Sequence, residues 1–152
     1  MSLKYSLVAI GPKEMVGEWK DEKGVQVAYV NLFFGEGWIS FGWECKAASS
    51  ATYRATCTPT QLAFYKGLCP ATLKHMLRDV DGKTLLGASV ESDIADPIHI
   101  GGSEALMGHY VKLGFRSPTE EESIEHNFDV ITTVEAYCQG ITIRPEHATL
   151  FA

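Results

Sequence analysis

The sequence has no run of lysine and arginine, no Asn-x-Ser/Thr sequon and no apolar stretch approaching the ~18 residues that cross a bilayer. The first absence removes the broad basic face through which proteins grip a phosphate backbone, and the formal net charge of -6 repels one. The last removes a membrane span, and Met1-Ser2-Leu3-Lys4-Tyr5 lacks the basic start and apolar core of a signal peptide. Cytoplasm is the expected compartment, with no nucleic-acid or membrane partner. Cys45, Cys57, Cys69 and Cys138 contain no C-x-x-C pair, which argues against a zinc knuckle or a thioredoxin-like site. Their even number permits two disulfides, but three of them fall on apolar faces, where free thiols pack as small hydrophobes.

What is present fits a globular domain. At 152 residues the chain is the size of one domain, read here as 1–152, and such a domain buries roughly 70% of its unfolded surface without a staple or metal. An apolar share of 45% supplies enough burial to offset chain entropy, so disorder is not expected over most of the length.

The first sixty residues read as strands. Tyr5 to Ile10 is a short apolar run that stops at Gly11-Pro12. Glu14 to Lys20 reads as a second strand, with a helical turn as the alternative. Val25 to Phe34 is β-branched and aromatic on both faces, as in a central strand. Trp38 to Lys46 alternates, with Ile39, Phe41, Trp43 and Cys45 opposed to Ser40, Gly42, Glu44 and Lys46. Thr52 to Thr58 alternates too and predicts a further strand of the meander.

Helical spacing begins after Thr58-Pro59-Thr60. Leu68, Leu73, Met76, Leu77 and Val80 share one side of a helical stretch, with Pro70 marking a break or a new start. Thr84 to Glu91 reads as a strand and Ser92 to Gly102 as a loop. Ser103 caps a helix ending at Gly114. Ser117-Pro118-Thr119-Glu120 reads as a capping box. The following stretch carries Ile124, Phe128, Ile131, Val134 and Cys138 at helical spacing. The β-branched run Val130 to Val134 offers a strand instead, with helix preferred. Ile141 to Ile143 is a candidate last strand. No repeat or linker divides the chain.

Chemistry-bearing residues are scattered. His75, His99, His109, His126 and His147 show no H-E-x-x-H or H-x-x-x-H spacing, so no metal is expected. Glu122 and His126 are four apart, as surface helix contacts are. No G-x-S-x-G elbow supports a serine hydrolase. The cluster Trp19, Tyr29, Phe33, Phe34, Trp38, Phe41 and Trp43 is either a sheet core or the lining of an apolar pocket. Glu44, pointing away from that core, is a candidate acid or base.

The most specific local signal is Glu104 to Phe115, in which Tyr110, Lys112, Leu113, Gly114 and Phe115 form a helix-ending turn. It resembles the late helix of the GNAT N-acetyltransferase family. The resemblance implies that Tyr110 is the general acid toward the leaving thiolate of coenzyme A. Extended upstream it spans roughly Thr52 to Phe115: Cys57-Thr58-Pro59 would end the family's central strand, Lys66-Gly67-Leu68 would open the pyrophosphate-holding helix, and Leu85 to Glu91 would be the next strand. The chain departs from the family in having Gly67 alone where two close glycines are usual, with Pro70 just beyond.

The expected architecture is α+β, an antiparallel N-terminal sheet with helices concentrated in the C-terminal half. The expected function is GNAT-like acyl transfer from acetyl-coenzyme A or another acyl-coenzyme A, with Tyr110 as acid and Glu44 as base. Cys57, Lys66, Gly67 and Leu68 would bind the cofactor. The alternative is a non-catalytic domain that binds a small ligand or forms a homo-oligomer through its aromatic sheet. An enclosed cavity, or an exposed apolar patch near Trp38 and Trp43, would favour it.

Overall fold

The structure, a computed structural model, describes residues 3–89 and 108–151. It is α+β: a four-strand meander, then helices, with two more strands closing the sheet. The strands are β1 (Lys4–Gly11), β2 (Glu14–Lys20), β3 (Gln26–Phe34), β4 (Trp38–Cys45), β5 (Leu85–Ala88) and β6 (Val130–Thr133). They lie in chain order in one sheet of six, antiparallel except for the parallel β4–β5 pair. Arg116 pairs with Ile131 on the far side of β6.

The helices are α1 (Lys46–Ser49), α2 (Ala51–Thr56), α3 (Pro59–Tyr65), α4 (Leu68–Met76), a stretch at 108–112 (α5), α6 (Glu120–His126), α7 (Val134–Gly140) and α8 (Pro145–Ala148). Among the described residues, no helix is long and apolar enough to cross a membrane. The four cysteines are free thiols.

Cross-strand register assigns the two sheet faces. Trp19, Ala28 and Cys45 lie in one row, Gly17, Val30 and Trp43 in the next, and Met15, Leu32 and Phe41 in the third. This face carries the core, since Trp19, Val30, Leu32 and Phe41 are at most 4% exposed. Helix α4 crosses it. Trp19 Nε1 donates to Thr72 Oγ1 at 2.9 Å, and Met76 lies over Gly17, where an added Cβ would meet its sulfur at 2.8 Å. A glycine there lets the helix approach the sheet closely. Tyr137 of α7 ties the second layer to α4 by donating to the Pro70 carbonyl at 2.9 Å.

The opposite face of β1–β3 carries Val8, Val16, Glu18, Tyr29 and Asn31 and is not sealed in the same way. Val25 to Phe34, expected to be covered on both sides, is therefore covered on one; Phe33 is 42% exposed. Both Val27 and Ala28 are buried because β3 bulges at Val27, placing two consecutive residues inward.

Four other expectations are corrected. Thr52 to Thr58 is not a strand: through Thr56 it lies in helix α2, and Cys57 and Thr58 join α2 to α3. Ser50 accepts from Tyr53 N–H at the start of α2, and Thr58 then opens α3 with a capping box to Gln61 and Pro59 in the first turn. The later capping box is Thr119 with Glu122, two residues beyond the one expected at Ser117. The preferred helix through 128–138 is interrupted: Asn127 takes a left-handed conformation (φ 52°), Val130–Thr133 is strand, and helix resumes at Val134. Ile141 to Ile143 belongs to no strand. The helix expected from Ser103 is seen only over 108–112, and its start, like the Ser92 to Gly102 loop and the end of the Thr84 to Glu91 strand, lies outside the described residues.

Helix α6 is pinned by charge. Arg116 donates to both oxygens of Glu122, at 2.7 and 2.9 Å, and Thr119 N–H adds a bond of 2.8 Å. Arg116 first, then Thr119, hold the Glu122 carboxyl down at about 2, against an ordinary 4.5. A depressed folded pKa contributes stability above about pH 4.5 that is lost as pH falls toward 2. A carboxyl NMR titration should place the Glu122 midpoint near 2, and Arg116→Ala should return it toward the ordinary value.

Candidate functional site

The β4–β5 pair is short. Trp38, Ile39 and Ser40 pair with Leu85, Leu86 and Gly87, and the pairing then ends. Among the described residues, the second half of β4, Phe41 to Cys45, has a strand neighbour only in β3. Its backbone groups on the β5 side need other partners, because a buried amide left unpaired is costly.

Tyr110 packs on this half of β4. Its ring stacks on Trp43 (5.7 Å between centroids) and meets Phe41 and Phe115 edge-on at 6.0 and 5.6 Å. Gly114, at φ +97°, ends the turn and lets Phe115 fold back, with Phe115 N–H bonded to the Tyr110 carbonyl at 3.1 Å. Tyr110 is 2% exposed, so in the free protein its ring is part of the packing. His109, which sequence reasoning weighed only as a metal ligand, lies 6.2 Å from both the Trp43 and Tyr110 rings. Desolvation, then the Lys112 charge, lower its pKa, which favours a neutral imidazole.

Glu44 faces the other way, as its alternation predicts. It is exposed, sits directly opposite Tyr29 and accepts from Ser49 Oγ at 3.2 Å. Tyr110 and Glu44 therefore lie on opposite faces of β4. A reacting group that touches both must sit in the plane of the sheet, at the edge of β4 beyond its described pairing with β5.

Helix α4 begins over the end of β4. Cys69, in its first turn, approaches the carbonyls of Glu44 (3.7 Å) and Tyr29 (4.0 Å), and its burial pushes that thiol well up. Gly67 is the N-cap and is left-handed (φ 79°), a conformation other residues resist. Lys66 is exposed, whereas Leu68 is wholly buried and Pro70 lacks an N–H, so few free donors face outward from this turn. Arg144 braces the junction from the far end of the chain, donating to the carbonyls of Ala63 (2.9 Å) and Lys66 (3.2 Å). Cys57 ends no strand. It lies half-buried at the α2–α3 joint with its thiol on the Tyr53 carbonyl at 3.4 Å.

The structure thus brings together Tyr110, Glu44 and the Lys66–Leu68 turn around the end of β4, and leaves Cys57 in the helical layer beside them. Among the described residues, no group of three or more His, Cys, Asp or Glu side chains is arranged to hold a metal ion. Compared with protein-family models, with curated proteins and with solved structures, the chain matches none.

The open sheet face holds a groove of about 330 Å³ lined by Val8, Ile10, Val16, Glu18, Gln26 and Tyr29. Three exposed apolar side chains lie along β1, with Leu7 53%, Val8 44% and Ile10 60% exposed, while Val25, Phe33, Val111 and Ile124 are exposed elsewhere. Trp43, beside which an exposed apolar patch would favour the binding alternative, is half-buried against Tyr110.

Proposed function

We propose that the chain is a GNAT-like acyltransferase that binds acyl-coenzyme A between the parted ends of β4 and β5. The observation that carries this reading is the parallel strand pair whose pairing, among the described residues, stops at Ser40 and Gly87, with Tyr110 packed on the half of β4 beyond it. The edge of Phe41 to Cys45, which no described strand other than β3 pairs with, suits the amides of a pantetheine arm, as an added strand would. Lys66, exposed beside Gly67, would meet the phosphates, while Arg144 is held by the Ala63 and Lys66 carbonyls and by Glu146.

Glu44 would take one proton from an acceptor ammonium. As the carbon–nitrogen bond forms and the carbon–sulfur bond breaks, Tyr110 would give its phenolic proton to the departing thiolate. The remaining surplus proton on nitrogen would restore the phenol.

Thermal unfolding with and without coenzyme A tests the reading. Ligand at a hundredfold excess over Kd stabilises by about 2.7 kcal/mol. For a chain of this length that is ~5–10 °C. The shift should vanish in Lys66→Glu, a change at an exposed side chain that leaves the ligand-free midpoint in place.

The exposed apolar residues of β1 favour a second reading, a non-catalytic domain that binds a small ligand or assembles through its sheet. Absence of a coenzyme A shift, together with a mass that rises with protein concentration in sedimentation, would select it.

A further inference from the structure

The groove on the open sheet face does not belong to the acyl-coenzyme A path, yet it leads to it. Register places Ser6, Glu18, Tyr29 and Glu44 in one row across β1–β4. Val8, Val16 and Asn31 form the next row, and Ile10, two residues on from Val8, lines the groove beside it. The surface is therefore divided. Its β1–β2 end is apolar, and the row leading toward the parted edge of β4 carries carboxylates at Glu18 and Glu44 with Tyr29 between them.

The two carboxylates are held differently. Glu18 accepts from Gln26 Nε2 at 2.8 Å and is paired with Lys20 at 3.4 Å. Among the described residues Glu44 is held by the neutral Ser49 hydroxyl alone, at 3.2 Å, so of the two its charge is the one no described cation pairs with. From Val16 and Glu18 on β2 to Glu44 on β4 is two strand spacings, about 10 Å.

We infer that this groove seats the acceptor, and that the acceptor is a primary amine on an extended apolar body. The body lies over Val8, Ile10 and Val16, and the ammonium reaches Glu44 past Tyr29. The inference rests on the acyltransferase reading for the word acceptor, but the selectivity of the groove is independent of it. Apolar lining rewards length in the ligand, by up to about fourfold in affinity per methylene. The carboxylate row rewards positive charge and opposes a negative head group.

The test is binding of straight-chain amines, from ethylamine to hexylamine, to the whole chain without coenzyme A. Hexanoate and hexan-1-ol serve as controls, and Tyr29 ring shifts in NMR give the readout. Affinity should rise two- to fourfold per methylene along the amines, with hexylamine at least tenfold tighter than hexanoate. Ile10→Ser and Val8→Ser, both at exposed positions, should flatten the length dependence, and Glu44→Gln should weaken all the amines together. Equal binding of hexylamine and hexanoate, or a length dependence untouched by Ile10→Ser, overturns the inference. So does a mass that doubles with concentration while amine binding fades, since a second copy would then fill the groove. A coenzyme A shift without amine binding sinks this inference and leaves the acyltransferase reading standing. Amine selectivity without a coenzyme A shift sinks that reading and leaves the groove an amine site.

Discussion

Tyr110→Phe should lower kcat for acyl transfer by about 10²- to 10⁴-fold, the range a positioned general acid supplies. KM for the acyl donor should stay nearly constant, because the ring remains. Tyr110 is 2% exposed and contacts Trp43, Phe41 and Phe115 through its ring, and phenylalanine keeps all three contacts. Tyr110→Ala removes both functions. It should lose activity and also about 3–5 kcal/mol of stability, as truncating a buried aromatic does. The pair separates chemistry from packing. If Tyr110→Phe retains full kcat, the phenol transfers no proton and Tyr110 is a packing residue. A loss of rate that matches a loss of folded protein would say the same. A midpoint of unfolding measured beside each rate distinguishes these outcomes.

The difference between what the sequence announced and what it hid follows one rule. Features set by neighbours along the chain were legible. Glu14–Lys20 is the strand its residues suggest, and Glu44 faces outward because period-2 alternation placed it there. Gly114 ends its turn in the left-handed region where a helix-ending glycine is expected. Features set by the sheet were not. Tyr53, Ala55 and Cys57 alternate well enough for a strand, but two strong caps favour helix there. The free side of β4, where a fifth strand of the meander would have paired, is taken by β5. The burial of Tyr110 depends on where β4 and α5 meet, which a helix-ending motif does not state. The groove is less legible still, since its lining comes from three strands whose register only the folded sheet sets. The Phe128 to Cys138 stretch shows both cases. Its β-branched run was visible as an alternative, but the choice of strand came from a partner: Val130 to Thr133 pairs residue by residue with Ala88 to Leu85.

That pairing makes Gly87 the most sensitive small residue of the sheet. It is paired with Ser40 in β4 and Ile131 in β6, so its backbone is fixed on both sides. A Cβ added there would fall 2.2 to 2.7 Å from three atoms of the Phe128 ring. The glycine is needed for space rather than for its backbone angle, because Gly87 is not among the residues with positive φ. The ring cannot simply move aside, since Phe128 is 6% exposed, stacked on His126 (5.6 Å) and in edge contact with Trp38 (5.9 Å). Gly87→Ala should therefore destabilise by about 1–3 kcal/mol, the usual cost of overpacking. Phe128→Ala should cost about 3–5 kcal/mol through the cavity it leaves. The double variant should cost clearly less than the two together, because the new methyl then occupies space the ring has vacated. Such coupling between touching residues is commonly 0.5–3 kcal/mol. Denaturant unfolding of the four proteins gives the cycle. Simple additivity would mean that Phe128 does not rest on Gly87. The consequence reaches the proposed site, because Gly87 is the last β5 residue paired with β4 before the strands part. A shift of β5 there moves the mouth of the gap, so Gly87→Ala should also weaken the coenzyme A shift, whereas Arg116→Ala, beyond β6, should leave it in place.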